Sequence, residues 1–250
     1  MSTFAGGFLV ISNNTKTMGK ISNLLQKLTI KVPEGHKLFQ GEYHDGDATY
    51  VYIPDGKKHI FDGSFELVYD LGGGCYKKAK GNYRDNVKED YWHYERQGRS
   101  SVKTVDADFR TGFVQGSLEC YSSERGVGES VINNELKMLV FENTIKGKIL
   151  GFIDGWEVYG FCDDEGYADG KWTMTQEDKE DREVTTRVEE WEHGRLIKSY
   201  EEKRRKKLTI EKATDIRKRV NNFLESTVGQ FLAFVPRGNR ATQVFVMRKE

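Results

Sequence analysis

Five histidines, three cysteines and scattered carboxylates are the side chains here that could hold a metal or move a proton. The histidines are His36, His44, His59, His93 and His193. None forms an H-x-x-x-H or H-E-x-x-H spacing, and no cysteine lies at ligand spacing from one. His93 stands between Trp92 and Tyr94, so on a strand it points away from both, toward solvent. Gly72-Gly73-Gly74 lacks the Lys-Ser/Thr and helix start that cradle a phosphate, and reads as a loose turn. Ser117, Ser122 and Ser123 have no G-x-S-x-G context. Asp163-Asp164-Glu165-Gly166 opens like a calcium loop, but the later ligand positions do not follow, so it reads as an acidic turn. The expectation is a protein with no catalytic, cofactor or metal residues. An enzyme built in a groove between a sheet and a C-terminal helix is the least favoured reading.

Cys75, Cys120 and Cys162 are widely spaced with no C-x-x-C, which predicts reduced thiols and a cytoplasmic setting. The apolar run Phe8 to Ile11 has no basic n-region or cleavage site, so no signal peptide is read. No stretch approaches the roughly 18–20 apolar residues of a membrane span. Lys+Arg and Asp+Glu balance at 39 each, so global charge selects no acidic partner. Hydrophobic content is 37%, yet 12% of residues are aromatic and 26 are glycine, which suits short strands separated by tight turns.

The elements that would carry these side chains follow from an internal echo. Gly41, Tyr43, Asp45 and Tyr52 return forty residues later as Gly81, Tyr83, Asp85 and Trp92, and Tyr69 and Gly72 return as Phe109 and Gly112. Across residues 41–200 an aromatic, a glycine or Asn/Asp substitute, a second glycine and an alternating apolar stretch recur. Alternation such as Trp92/Tyr94 or Trp172/Met174 puts large side chains on one strand face, and the glycines supply the turns. The prediction is a mainly β chain: an antiparallel meander of β-hairpin repeats forming an open twisted sheet. Residues 1–40 read as a lead-in covering its first edge. Residues 201–250 read as a capping helix with short strands.

Within this frame Ser122 to Asn134 reads as a polar loop and Gln176 to Arg182 as a long hairpin tip. Thr209 reads as a helix cap, followed by the apolar stripe Ile216, Val220, Phe223, Leu224 and Val228. Phe231 to Val235 and Gln243 to Met247 read as final strands. The helix is expected to close the open end of the meander.

Two surfaces emerge. Tyr43, Tyr52, Trp92, Tyr94, Phe109, Trp172 and Trp191 would ladder across one sheet face, as its apolar layer or, where open, as a groove for a partner. Lys203, Arg204, Arg205, Lys206 and Lys207, with Arg217, Lys218 and Arg219, form a basic stretch that follows the acid-rich segment 177–192. It is most simply a solvated face, and alternatively a surface for anionic lipid or nucleic acid.

Gly81-Asn82-Tyr83-Arg84-Asp85-Asn86 through Trp92-His93-Tyr94 resembles the MORN repeat, and more closely its degenerate bacterial forms. Gly166-Tyr167-Ala168-Asp169-Gly170-Lys171-Trp172 fits the second half of that motif, and Phe109, Gly112, Gly116 fits its skeleton. The resemblance covers residues 41–200. It implies a non-catalytic scaffold acting through protein–protein contacts or self-association, with lipid binding proposed for some members.

Overall fold

Seven two-residue connections have positive φ at both positions, the signature of the type I′ hairpin turn: His44-Asp45, Gly73-Gly74, Asp85-Asn86, Thr111-Gly112, Glu142-Asn143, Asp154-Gly155 and His193-Gly194. That turn matches the right-handed twist of the flanking strands, so consecutive strands fold back on one another. The computed structural model describes residues 30–125, 131–177, 184–203, 206–208 and 216–236. Among them are fourteen strands in one sheet whose spatial order is their chain order.

The strands are β1 Lys37–Tyr43, β2 Gly46–Asp55, β3 Lys58–Gly72, β4 Cys75–Arg84, β5 Val87–Gln97, β6 Ser101–Arg110 and β7 Phe113–Arg125. They continue as β8 Val131–Phe141, β9 Thr144–Ile153, β10 Trp156–Cys162, β11 Gly170–Glu177, β12 Val184–Glu192, β13 Arg195–Lys203 and β14 Lys206–Leu208. Every neighbouring pair is antiparallel, and among the described residues no pairing joins β1 to β14, so the sheet is an open meander as the sequence predicts. The sheet starts at Lys37, inside the stretch read as lead-in. Residues 1–29 of the expected lead-in, the Thr209 cap, the strand at 243–247 and residues 178–182 of the expected tip lie outside the described residues, while Gln176 and Glu177 end β11.

The forty-residue echo gains a geometric meaning. It carries β1–β2 onto β4–β5, a step of three strands, and an odd step through an antiparallel meander reverses strand direction. The turns also differ by one residue: His44-Asp45 in the first hairpin, Asp85-Asn86 in the second. The recurrence that keeps direction is the row of turns along one end of the sheet. There Asn86, Gly112, Asn143 and Gly194 donate their backbone N–H to the carbonyls of Phe61, Lys88, Val114 and Ala168, near the preceding turn at that end. Asn86 and Asn143 add side-chain oxygens that accept from Phe61 N (2.7 Å) and Val114 N (2.8 Å). Turn to turn, these bonds satisfy main-chain groups that would otherwise end at the sheet margin.

Two expected elements are corrected. The stretch 122–134 is not simply a loop. β7 and β8 pair from Gly116↔Val140 to Arg125↔Val131. Polar cross-strand contacts, Tyr121 hydroxyl to Asn133 and Asn134 amide to Ser122, replace the apolar alternation that would have marked a strand. Phe231 to Val235 is not a strand. Helix α1 (Ile216–Leu224) runs through a π turn (Glu225–Gly229) into α2 (Gln230–Phe234). The stripe at Val220, Phe223, Leu224 and Val228 continues through Phe231 and Leu232 at helical spacing, all buried. A short apolar run read alone cannot separate the two conformations.

This helix does not close the end of the meander. It crosses one face of the sheet, from Glu189 on β12, which meets Ile216, to Tyr69 on β3, which meets Phe234. Nine strand spacings of about 4.8 Å span roughly 43 Å, against about 28 Å for a helix of this length, so the sheet curves around the helix. The core lies between them. Ala79, Trp92, Tyr94, Val105, Leu118, Leu136, Ile149, Trp172 and Met174 are buried on the inner face against Ile216, Val220, Leu224, Val228 and Phe231.

Candidate functional site

Trp92 and Trp172 show how the inner face is built. A Cβ on Gly81 would lie 2.1 Å from the Trp92 ring, and one on Gly160 would lie 2.6 Å from the Trp172 ring. Each indole therefore lies flat on a glycine of the preceding strand. Each also donates Nε1–H to the carbonyl just after that glycine, Asn82 O at 3.2 Å and Phe161 O at 2.9 Å. Phe231 then stacks on Tyr94 with centroids 5.7 Å apart and meets Phe109 edge-on.

Of the seven aromatics, Trp92, Tyr94, Phe109 and Trp172 are thus buried in the apolar layer, the first of the two roles that the sequence leaves open, and the helix packs over them. Tyr43 and Tyr52 are half-buried toward the β1 edge, where Tyr52 stacks on His59 at 3.8 Å. Trp191 is half-buried at the other end. Its Nε1–H donates to Glu189 (3.1 Å), and the Arg217 guanidinium lies 4.8 Å from its ring centroid. The seven rings do not converge on one exposed surface. The basic stretch is divided too: Arg217 donates to Gly194 O (3.0 Å) and Arg219 pairs with Asp154 (3.3 Å), while Lys218 is exposed. Lys203, Lys206 and Lys207 lie on β13 and β14, and Arg204 and Arg205 lie outside the described residues.

The opposite face has no helix on it among the described residues, and there the exposed apolar side chains gather. Leu139 (62% exposed) and Phe141 on β8, Leu150 and Phe152 (50%) on β9, and Tyr159 and Phe161 on β10 all point outward from three adjacent strands. Leu150 pairs with Tyr159, and Lys148 with Phe161. The Lys146 ammonium lies 5.1 Å from the Phe141 ring centroid, and Lys137 is held by Glu119 and Glu135. A contiguous apolar group on one sheet face, rimmed by charge, has the composition of a contact surface. Its sequence signal is apolar residues at both parities: Met138 through Phe141, Ile149-Leu150 and Phe152-Ile153 carry hydrophobes on the inner and the outer face.

No family model matches the chain, and no curated protein or solved structure matches it significantly. The site's chemistry is therefore that of its own side chains. On the helix-free face, Asp106 accepts from the Tyr91 hydroxyl and pairs with His93 Nδ1 at 2.7 Å. The hydrogen bond to Asp106 raises the His93 pKa above its ordinary 6.5. Burial and then the Asp106 bond push the Tyr91 hydroxyl up to about 12. Ser117 shares a cleft of about 420 Å³ with Tyr91 and Asp106. His193 and Asp163 (2.7 Å) and His36 and Asp62 (2.6 Å) form two further pairs. Asp163 also accepts from the backbone N–H of Glu165 and Tyr167, which makes the acidic segment a fastened turn, as its sequence predicts. Among the described residues no three His, Cys, Asp or Glu side chains are grouped to hold a metal, and no helix is long and apolar enough to cross a membrane.

Proposed function

We propose that the protein is a non-catalytic interaction module that offers the helix-free face of its sheet to a protein partner. The observation that carries this reading is the group of exposed hydrophobes on β8, β9 and β10, centred on Leu150 and Phe152. The inner-face aromatics support the module by holding the sheet around its helix rather than by touching the partner. The MORN-like reading belongs with this proposal. Its support is the pair of glycine–tryptophan couples, Gly81 with Trp92 and Gly160 with Trp172, each with the same indole hydrogen bond.

The test is recovery of a partner, or of self-association, by the intact protein and by a variant carrying Leu150→Ser and Phe152→Ser. Both positions are exposed, so the variant should keep its melting temperature while losing the partner. Equal recovery by the two proteins would refute the assignment of this face.

A further inference from the structure

The inner face carries a row of cations beside the helix. Tyr69 on β3 pairs in register with Lys77 on β4, Lys77 with Arg96 on β5, and Arg96 with Lys103 on β6. Each lies two residues from an inward-facing core position, so all point to the helix side of the sheet. Two of the three cations are committed to the helix. Arg96 donates to the Gln230 side-chain oxygen at 3.0 Å, and the Lys103 ammonium donates to Ser226 O at 3.2 Å. Burial and then the Arg96 charge pull the Lys103 pKa down, opposed by Glu124, a sign of how closely the positive charges crowd.

Lys77 is the end of the row. Among the described contacts it makes no hydrogen bond or ion pair, and it opens onto a cleft of about 550 Å³ between the helix end and β1–β4. The walls include Tyr43, Tyr69 and Phe234, and among the described residues none that lines it is a carboxylate. A concave site of this size with aromatic walls and one convergent cation is the ordinary composition of a small-molecule pocket.

We infer that this cleft binds a small anionic molecule with a flat apolar body, its carboxylate, sulfonate or phosphate on Lys77 and its body against Tyr43, Tyr69 and Phe234. Lys77 supplies a charge-assisted hydrogen bond, and Arg96 behind it adds to the positive field without moving. The site is separate from the helix-free face and does not depend on the assignment of that face.

The test is calorimetric and fluorescence titration of the full chain with 8-anilinonaphthalene-1-sulfonate, a flat aromatic sulfonate. Saturable one-to-one binding that weakens with added salt is expected. Lys77→Met should weaken it about tenfold or more, while Lys77→Arg keeps most of the affinity. Ala233→Trp, which fills the cleft from the helix, should abolish binding. Absence of saturable binding, or equal affinity for the Lys77→Met and unaltered proteins, would overturn the inference. So would equally tight binding of the sulfonate-free N-phenyl-1-naphthylamine. Should Lys77→Met fail to fold, the neutral analogue, the salt series and Ala233→Trp still decide the question.

Discussion

Glu189 and Lys88 are buried charges of opposite sign fastened to opposite ends of one helical segment. The Glu189 carboxylate, on β12, accepts from the backbone N–H of Ile216 and of Arg217. The Lys88 ammonium, on β5, donates to Pro236 O at 2.8 Å, an acceptor it shares with the Tyr83 hydroxyl. An anion at the start and a cation just past the end both oppose the helix dipole, so the two charges fix the helix's direction across the sheet as well as its position. Hydrophobic contact alone would tolerate sliding, whereas these bonds do not.

Glu189→Gln tests the first of these fastenings. The amide keeps the shape, loses the charge and turns an N–H₂ toward donors that need an acceptor. A loss of about 1–3 kcal/mol in unfolding free energy is expected, read by urea denaturation. A change within error would mean that the helix start is held by packing alone.

Lys88 tests the second through pH. Burial lowers its pKa from 10.5 to about 8, so between those values the unfolded chain carries more protons than the folded one. The cost of burying the charge is complete below pH 8 and disappears as pH rises toward 10.5, a gain of about 3 kcal/mol over that window. From about pH 9 other buried groups act the opposite way, because burial holds the Cys120 and Cys162 thiols and the Tyr50 and Tyr94 hydroxyls up to about 12 while their unfolded counterparts ionise. Stability measured from pH 7 to 10 should therefore climb in the natural chain relative to Lys88→Met, which keeps only the opposing fall from the thiols and hydroxyls. Parallel curves would show that Lys88 is not the titrating group.

The two glycine–tryptophan couples predict a steep local cost. Gly81→Ala would place a methyl 2.1 Å from the Trp92 ring, and the ring has strands and Phe231 around it with no room to retreat. A loss of about 2 kcal/mol or more is expected, with a shift in tryptophan fluorescence. Gly160→Ala should behave alike against Trp172. Alanine at Gly81 that leaves the melting temperature unchanged would show that the indole can move.

How much of this was written in the sequence depends on which physical signal each element leaves. Gly81, Asp85-Asn86 and Trp92/Tyr94 spell a hairpin locally, because turn residues and alternation act over a few positions, and the open meander follows from many such hairpins. What the helix does is not local. Phe231 and Leu232 read equally well as strand or helix until Trp92, Tyr94 and Phe109 form a face for them to pack on. Which of the aromatics form the apolar layer is not local either: nothing near Trp172 in the chain says that a helix will cover it. The exposed group on β8 to β10 left a faint trace, apolar residues at both parities, which is also how a strand buried on both faces reads. Lys77, Arg96 and Lys103 come together only through register, a relation between strands that no single segment encodes.

Thiol reactivity gives an independent check on the core. Burial pushes the Cys120 and Cys162 thiols up to about 12, while Cys75 is partly exposed on β4, and all three are free. At pH 8 the folded protein should modify quickly at one cysteine, Cys75, and at all three only after denaturation, as counted by mass spectrometry. Rapid modification of Cys120 in the folded state would mean that the helix lifts from the sheet, since Cys120 is buried in the core that the helix shares with the inner face.

The His93–Asp106 pair carries the last prediction, because both partners shift in ways that can be read separately. His93 is raised by its bond to Asp106 against the effect of burial. Asp106 is lowered from 3.8 although burial pushes it up, because bonds from His93 and Tyr91 outweigh that effect. A raised histidine stabilises the fold fully below 6.5 and loses that contribution as pH rises through its folded value. A lowered carboxylate stabilises above 3.8 and loses its share as pH falls through its own folded value. The pair is therefore complete between about pH 4 and 6.5, and its ends are half-exposed, so solvent keeps the contribution small. An NMR titration should place the His93 midpoint above 6.5, and Asp106→Asn should bring it to 6.5 or lower, since burial, with Lys78, then outweighs the pull of Glu95. A midpoint that does not move in Asp106→Asn would show that the carboxylate does not hold the proton on this ring.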